Sequence, residues 1–413
     1  MDMTLLAVDW AMVLEKTIFI AVIITISLVV ALYMTFGERK VAAWIQDRVG
    51  PNRAGPFGIL QPLADGLKMF FKEEIIPTSS NKILFILGPS LAMITAMLTS
   101  AVIPWGDKAE LFGRTITLQI ADVNIGILYV FGILSLGVYG IMIGAWASNN
   151  KFSLMGGLRA ASQIISYELA MGISLIALIM ITGTLSLGEM VQQQKDGWWN
   201  FFVQPLGFFI FLVCAFAECN RTPFDLAEAE NELIGGYHSE YSSLKLGFYL
   251  FAEYINMFIS SAIMATLYFG GYDIIPFYDE SAWGFSANIM ALLGAAALFI
   301  KILVFIFIFM WVRWTIPRFR YDQLMNLGWK VLIPFSLAWI MIVSILRVMS
   351  QRESSNFLVV AFIFSVALIY IGITSLTDRA KVKTAIASKV TNSKEPDFPV
   401  PEIPNSRAEQ LNG

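Results

Sequence analysis

Carboxylates are crowded where a membrane-embedded chain should carry few. From Glu218 to Tyr241 the sequence holds Glu218, Asp225, Glu228, Glu230, Glu232 and Glu240 against one arginine, Arg221. If the stretch after Pro223 is helical, Asp225, Glu228 and Glu232 fall at i, i+3 and i+7 on one face. Clustered carboxylates raise one another's proton affinity and bring some of them toward neutral titration. That chemistry is proton handling. A merely solvated acidic loop would leave Pro223-Phe224 and Leu233-Ile234 among the acids without a reason.

Glu168 stands at the start of one span and Glu253 inside another, and Lys301 is their basic counterpart. An ionisable group at that depth costs at least ~2.5–3.5 kcal/mol and by default marks an ion or proton path. Arg159 and Glu168 are nine residues apart, about half a turn around a helix, so each needs a partner from another element. The single histidine, His238, is either a proton shuttle or a hydrogen-bonded loop residue. A second polar stretch, Gly37 to Lys82, carries Arg39, Arg48 and Asp65; for Arg39 a functional role and snorkelling to the interface are both open.

These residues sit in a chain of 413 residues that is 57% hydrophobic and 14% charged, with mean hydropathy +0.68. Soluble domains carry about 25% charged residues. The composition therefore excludes a soluble globular enzyme and a disordered chain. A net charge of -3 offers no basic surface for nucleic acid. Two cysteines, Cys214 and Cys219, cannot supply four thiolates, so the expectation is no metal site and no redox cofactor bound by this chain.

A helix needs about 20 apolar residues to cross the hydrocarbon. Runs of that kind stand at 17–36, 83–103, 123–147, 169–188, 198–217, 246–272, 285–312, 327–346 and 354–377. The fold class is an all-α polytopic membrane protein of about nine transmembrane helices. An interfacial amphipathic helix joins them in the first long loop, where Leu60 to Lys72 alternates apolar and polar groups. The organisation expected is a core over 1–350 with eight spans, an added ninth span over 351–380, and a polar tail over 381–413. That tail is either disordered or docked on a partner. One side collects 21 Lys and Arg, the other 6. The positive-inside rule then puts the long loops and C-terminus in the cytoplasm and the N-terminus in the periplasm.

Several motifs carry a resemblance. They are Gly37-Glu38-Arg39-Lys40, Arg48-Val49-Gly50-Pro51-Asn52, Gly58 to Asp65, Ser166-Tyr167-Glu168, Ala217 to Leu226, and Arg313 to Leu324. In this order they resemble the H-subunit family of the bacterial proton-pumping NADH:quinone oxidoreductase (respiratory complex I), counterpart of mitochondrial chain 1. The resemblance implies a component of the bacterial inner membrane beneath a peripheral arm that holds FMN and iron–sulfur clusters and oxidises NADH. It implies a quinone tunnel, for ubiquinone or menaquinone, lined or shaped by Arg39, Arg48, Asp65 and Phe224. It also implies that Glu168, Glu218, Glu228, Glu230 and Glu253 belong to a carboxylate chain leading to antiporter-like membrane subunits. Partners are then the peripheral-arm quinone-site subunits, those antiporter-like subunits and membrane lipid. Cys219 and Ala227 depart from the family's usual small residue and proline, and neither change removes a carboxylate.

Two other classes fit parts of the sequence. One is the homologous membrane subunit of an energy-converting hydrogenase or a ferredoxin-fed quinone reductase. The other is a free-standing proton-coupled transporter using Glu168, Glu253 and Lys301.

Overall fold

The structure, a computed structural model, describes residues 10–111, 114–227, 230–276 and 284–352. Its helices are α1 (Trp10–Ile45), α2 (Gln61–Phe71), α3 (Lys82–Thr99), α4 (Gly126–Ala147), α5 (Lys151–Thr182) and α6 (Leu187–Lys195). They continue as α7 (Pro205–Glu218), α8 (Ser243–Tyr268), α9 (Ala287–Thr315) and α10 (Tyr321–Val348). Seven of these are long and apolar enough to cross a membrane, and α7 is a shorter apolar helix. The protein is a multi-pass, all-α membrane protein.

Local signals explain the boundaries. The Asn81 and Asn150 side chains accept from Leu84 N (3.4 Å) and Phe152 N (2.9 Å), capping α3 and α5 at their first turns. Gly183, at φ 72°, ends α5 in the left-handed conformation that glycine adopts without strain. Pro205 opens α7, where its missing N–H costs nothing.

The α8 helix is the axis of the bundle: 72% of its most apolar window is buried, against 22% for α1 and α10. Gly88, Gly140 and Gly144 let α3 and α4 cross at close range; a Cβ on Gly88 would stand 2.7 Å from Gly144 Cα. Two tyrosines reach helix carbonyls there. Tyr249 donates to Gly140 O (3.0 Å), and Tyr241 donates to Gly144 O (3.1 Å). The α2 helix matches the expected interfacial element, with Leu63, Leu67, Phe70 and Phe71 exposed along it.

In four places the structure departs from these expectations. The apolar run at 169–188 is only the second half of a helix that starts at Lys151, which puts Glu168 in mid-helix. Gln163 and Ser166 look like a helix end in a hydropathy trace, yet both are buried against neighbours. Likewise α1 runs through Glu38 and Arg39 to Ile45 rather than stopping at Phe36. Among the described residues, the segment directly after Pro223 is turn and α-helix spans Glu230–Leu233, so no described helix carries both Asp225 and Glu232. Finally, a two-stranded hairpin joins the helices, β1 (Lys108–Leu111) with β2 (Arg114–Thr117), in the register Lys108 to Thr117. The Asn288 amide pins it to the start of α9 by accepting from Glu110 N (2.6 Å) and donating to Glu110 O (2.8 Å). The expected ninth span and polar tail lie outside the described residues.

Candidate functional site

A cavity of about 330 Å³ lies between α1, α2 and α8, closed on one side by Trp314. Glu38, Arg39, Asp65 and Tyr254 supply its polar wall. Arg39 Nη1 meets Asp65 Oδ2 at 2.7 Å, and Gln61 and Lys68 donate to the other oxygen at 3.2 and 3.4 Å. Burial alone would raise the Asp65 carboxyl. Arg39, Gln61 and Lys68 more than reverse that and hold it below its ordinary 3.8. Asp65 is therefore an anion at every physiological pH. The pair is half open to solvent at Arg39, so it orients the wall and adds under about 1 kcal/mol of stability.

The carboxylates of α7 and α8 line a second, enclosed space. A cavity of about 40 Å³ touches Glu218, Asn220, Tyr237, Glu253 and Asn256. A neighbouring one of about 20 Å³ shares Glu218, Cys219 and Asn256 with it. The Asn256 Oδ1 acceptor is buried there without a protein partner. Such volumes hold single waters, and water needs polar partners of this kind. Glu168, on α5, accepts from the Ser135 hydroxyl and acts electrostatically on Glu218.

A line of buried groups joins the two spaces. Arg313 pairs with Glu38, and the Tyr254 hydroxyl donates to Glu38 Oε2 (2.7 Å). The Arg221 guanidinium lies over the Tyr254 ring, 4.1 Å from its centroid. Its Nη2 is 3.6 Å from Glu253 Oε2, while Tyr237 donates to Glu253 Oε1 (2.9 Å). Glu38, Arg221 and Glu253 are 6–7% exposed, so their charges act in a low-dielectric setting where each depends on its neighbour.

Other expected site residues take different places. Asp225, also buried, is held by Arg318 Nη2 at 2.6 Å, and Phe319 N donates to Pro223 O (3.1 Å). Phe224 stacks on Phe319 with ring centroids 5.6 Å apart. Together these clamp the acidic loop to the segment after α9. Glu232 is exposed and pairs with Arg159 (2.6 Å), which supplies the partner that the spacing demanded from another element. Arg48 is exposed, donating to Gln46 (2.7 Å) away from the cavity. Glu228 and the Glu230 side chain lie outside the described residues. Glu38, Arg221, Tyr254, Tyr237 and Arg313 are site residues that sequence reasoning does not find. Glu38, Arg221 and Arg313 stand inside motifs that carry the resemblance, whereas the tyrosines give no signal of their own.

His238 packs against the Tyr237 ring at 3.8 Å. Burial, with Arg221 nearby, pushes its imidazole from 6.5 down to about 3. It stays neutral at physiological pH. Between 6.5 and 3 the unfolded chain binds a proton that the folded one refuses, so stability falls as pH falls through that window. Above 6.5 the group contributes nothing. His238→Gln is accordingly expected to leave the pH–rate profile unchanged from about pH 6 to 8. A displaced limb in that profile would restore the histidine as a shuttle.

An apolar bundle with a polar wall at its margin and buried acids within defines a polytopic membrane protein whose interior is more polar than an anchor needs. A family described as NADH dehydrogenase matches residues 17–344. An NADH-quinone oxidoreductase H subunit of Cytophaga hutchinsonii is 68% identical over 329 residues, covering 80% of this chain and 95% of that protein. The H subunit of Flavobacterium johnsoniae is 63% identical over 335 residues, covering 80% and 95%, and that of Leptospira biflexa 48% over 350, covering 82% and 97%. The chain belongs to the H-subunit family of NADH-quinone oxidoreductase, and is thus a component of a multi-subunit NADH:quinone oxidoreductase.

Proposed function

We propose that the larger cavity is the part of a quinone path contributed by this subunit, and that the enclosed acids couple quinone chemistry to proton translocation. The observation that carries this reading is the unbroken line Glu38–Tyr254–Arg221–Glu253 between the two spaces. Reduction of a quinone takes up protons as well as electrons, which changes the charge beside Glu38 and Tyr254. That change shifts how Arg221 divides itself between the Tyr254 ring and Glu253. Glu253, Glu218 and Glu168 then exchange protons or partners, with water in the small cavities as the carrier. Asp225 and Phe224 act by holding the acidic loop, and the exposed Glu232 belongs to the cytoplasmic side. Arg48 guides quinone from outside the cavity.

In this reading electrons come from NADH through FMN and iron–sulfur clusters in peripheral-arm subunits, and the proton step passes to antiporter-like subunits. The N-terminus is periplasmic and the C-terminus cytoplasmic. The quinone is ubiquinone or menaquinone.

Gly66 tests the cavity directly. A Cβ there would find only Leu32 Cδ1, at 4.0 Å, so the backbone at Gly66 has room for a side chain and Gly66→Leu places one at the cavity wall. In the assembled enzyme it is expected to raise the apparent KM for quinone about tenfold, the effect of roughly 1.4 kcal/mol of lost binding. NADH oxidation by a soluble acceptor should not change. An unaltered quinone KM would remove the cavity from the quinone path.

A further inference from the structure

Lys301 is the basic group in mid-span that the coupling line does not use. The far end of α8, opposite the acidic loop, shows what it does. The last carbonyls of a helix lack partners within it and must be met from outside. Gln194 Nε2 donates to Thr266 O (3.0 Å), and Asn200 Nδ2 donates to Leu267 O (2.8 Å). The chain then turns through Gly270 and Gly271, at φ 73° and 56°, both in the region that favours glycine. This turn aims the carbonyls of Phe269, Gly271 and Asp273 at one point. The Lys301 ammonium fills that point, donating to Phe269 O (2.7 Å), Gly271 O (2.9 Å) and Asp273 O.

One wall of the cage is the Trp199 indole, 4.3 Å from Lys301 Nζ to the ring centroid. Trp199 Nε1 in turn donates to the buried Asp273 Oδ2 (2.6 Å), which fixes the indole. Three carbonyls use all three donors of an ammonium group. A neutral amine would turn a lone pair toward an oxygen, so the cage suits a permanent cation and not a proton carrier. A cation at a helix C-terminus also matches the helix dipole.

We infer that Lys301 is a positioning residue that locks the end of α8 and thereby the height and rotation of Glu253 and Tyr254, about four turns along the same helix. This rests on the roles proposed for Glu253 and Tyr254 in coupling. The α8 helix connects the cage to both spaces, and a helix transmits displacement of one end with little loss.

The test uses the whole assembled enzyme, with flavin content as the measure of assembly. Lys301→Ala leaves a hole walled by three carbonyls and an indole face, which fits an ammonium ion. NADH:quinone activity is expected to fall about tenfold, because small misplacements of reacting groups carry penalties of that order or larger. Ammonium or methylammonium chloride, and not sodium chloride, should restore most of it, with the pH profile unmoved. Lys301→Gln keeps two donors and should fall between wild type and Lys301→Ala, so it decides the matter if the alanine variant does not assemble. Amide hydrogen exchange across 265–273 should quicken in both variants, an outcome independent of activity. Full activity in Lys301→Ala with unchanged exchange would overturn the inference. So would a loss with a displaced pH profile and no response to ammonium. Wild-type enzyme inactive with quinone, yet with quickened exchange in the variants, would fault the functional reading and leave the lock standing.

Discussion

Glu218→Gln should cut proton-coupled quinone reduction about a hundredfold, the usual scale for removing an acid–base group that carries a proton. NADH oxidation by a soluble acceptor in the same preparation should continue at the normal rate. The substitution keeps the volume of the side chain, so the packing of α7 is preserved and the loss reports charge and proton exchange alone. Glu218 lines both small cavities, whereas Asp225 is fixed in an ion pair with Arg318. Asp225→Asn is therefore expected to disturb the loop more than the proton path. Normal proton-linked quinone activity in Glu218→Gln would sink the coupling role assigned to the enclosed acids.

Arg221→Met has the second large effect. It removes the cation 3.6 Å from Glu253 and leaves that carboxylate buried beside Tyr237. Removing one member of a buried pair costs about 3–5 kcal/mol, chiefly through the partner left behind. Assembled enzyme should become scarce and melt at lower temperature. Adding Glu253→Gln in the same chain should recover most of the stability and none of the quinone-linked pumping. The thermal midpoints of the single and double variants form a cycle that isolates the pair. A single variant as stable as wild type would mean that Glu253 does not depend on Arg221.

Much of the fold is legible from hydropathy, because spans must satisfy their backbone internally and so read as long apolar runs. The interfacial helix is readable too, at Leu60 to Lys72 against the observed Gln61–Phe71. Boundaries near functional groups are not. Glu38, Arg39 and Glu168 look like helix ends in a hydropathy trace, yet each continues its helix, with its polar atoms met by another element. The same physics limits the site. Spacing shows that Arg159 needs a distant partner, but only the tertiary structure can name Glu232. It also separates the acids into Glu218 and Glu253, which line one enclosed cavity, and Asp225 and Glu232, which are engaged elsewhere. Tyr254 has no signature in the sequence, since a tyrosine on an apolar helix is ordinarily packing.

The exposed apolar row of α2 sets how substrate supply should be counted. Leu63, Leu67, Phe70 and Phe71 face outward beside a cavity floored by the same helix, an apolar row of the kind that lies in a membrane interface. On the proposed quinone path, a quinone entering there is drawn from the bilayer, and its working concentration is moles per mole of lipid. Diluting the same quinone into more membrane should slow the enzyme even at constant amount per volume of buffer.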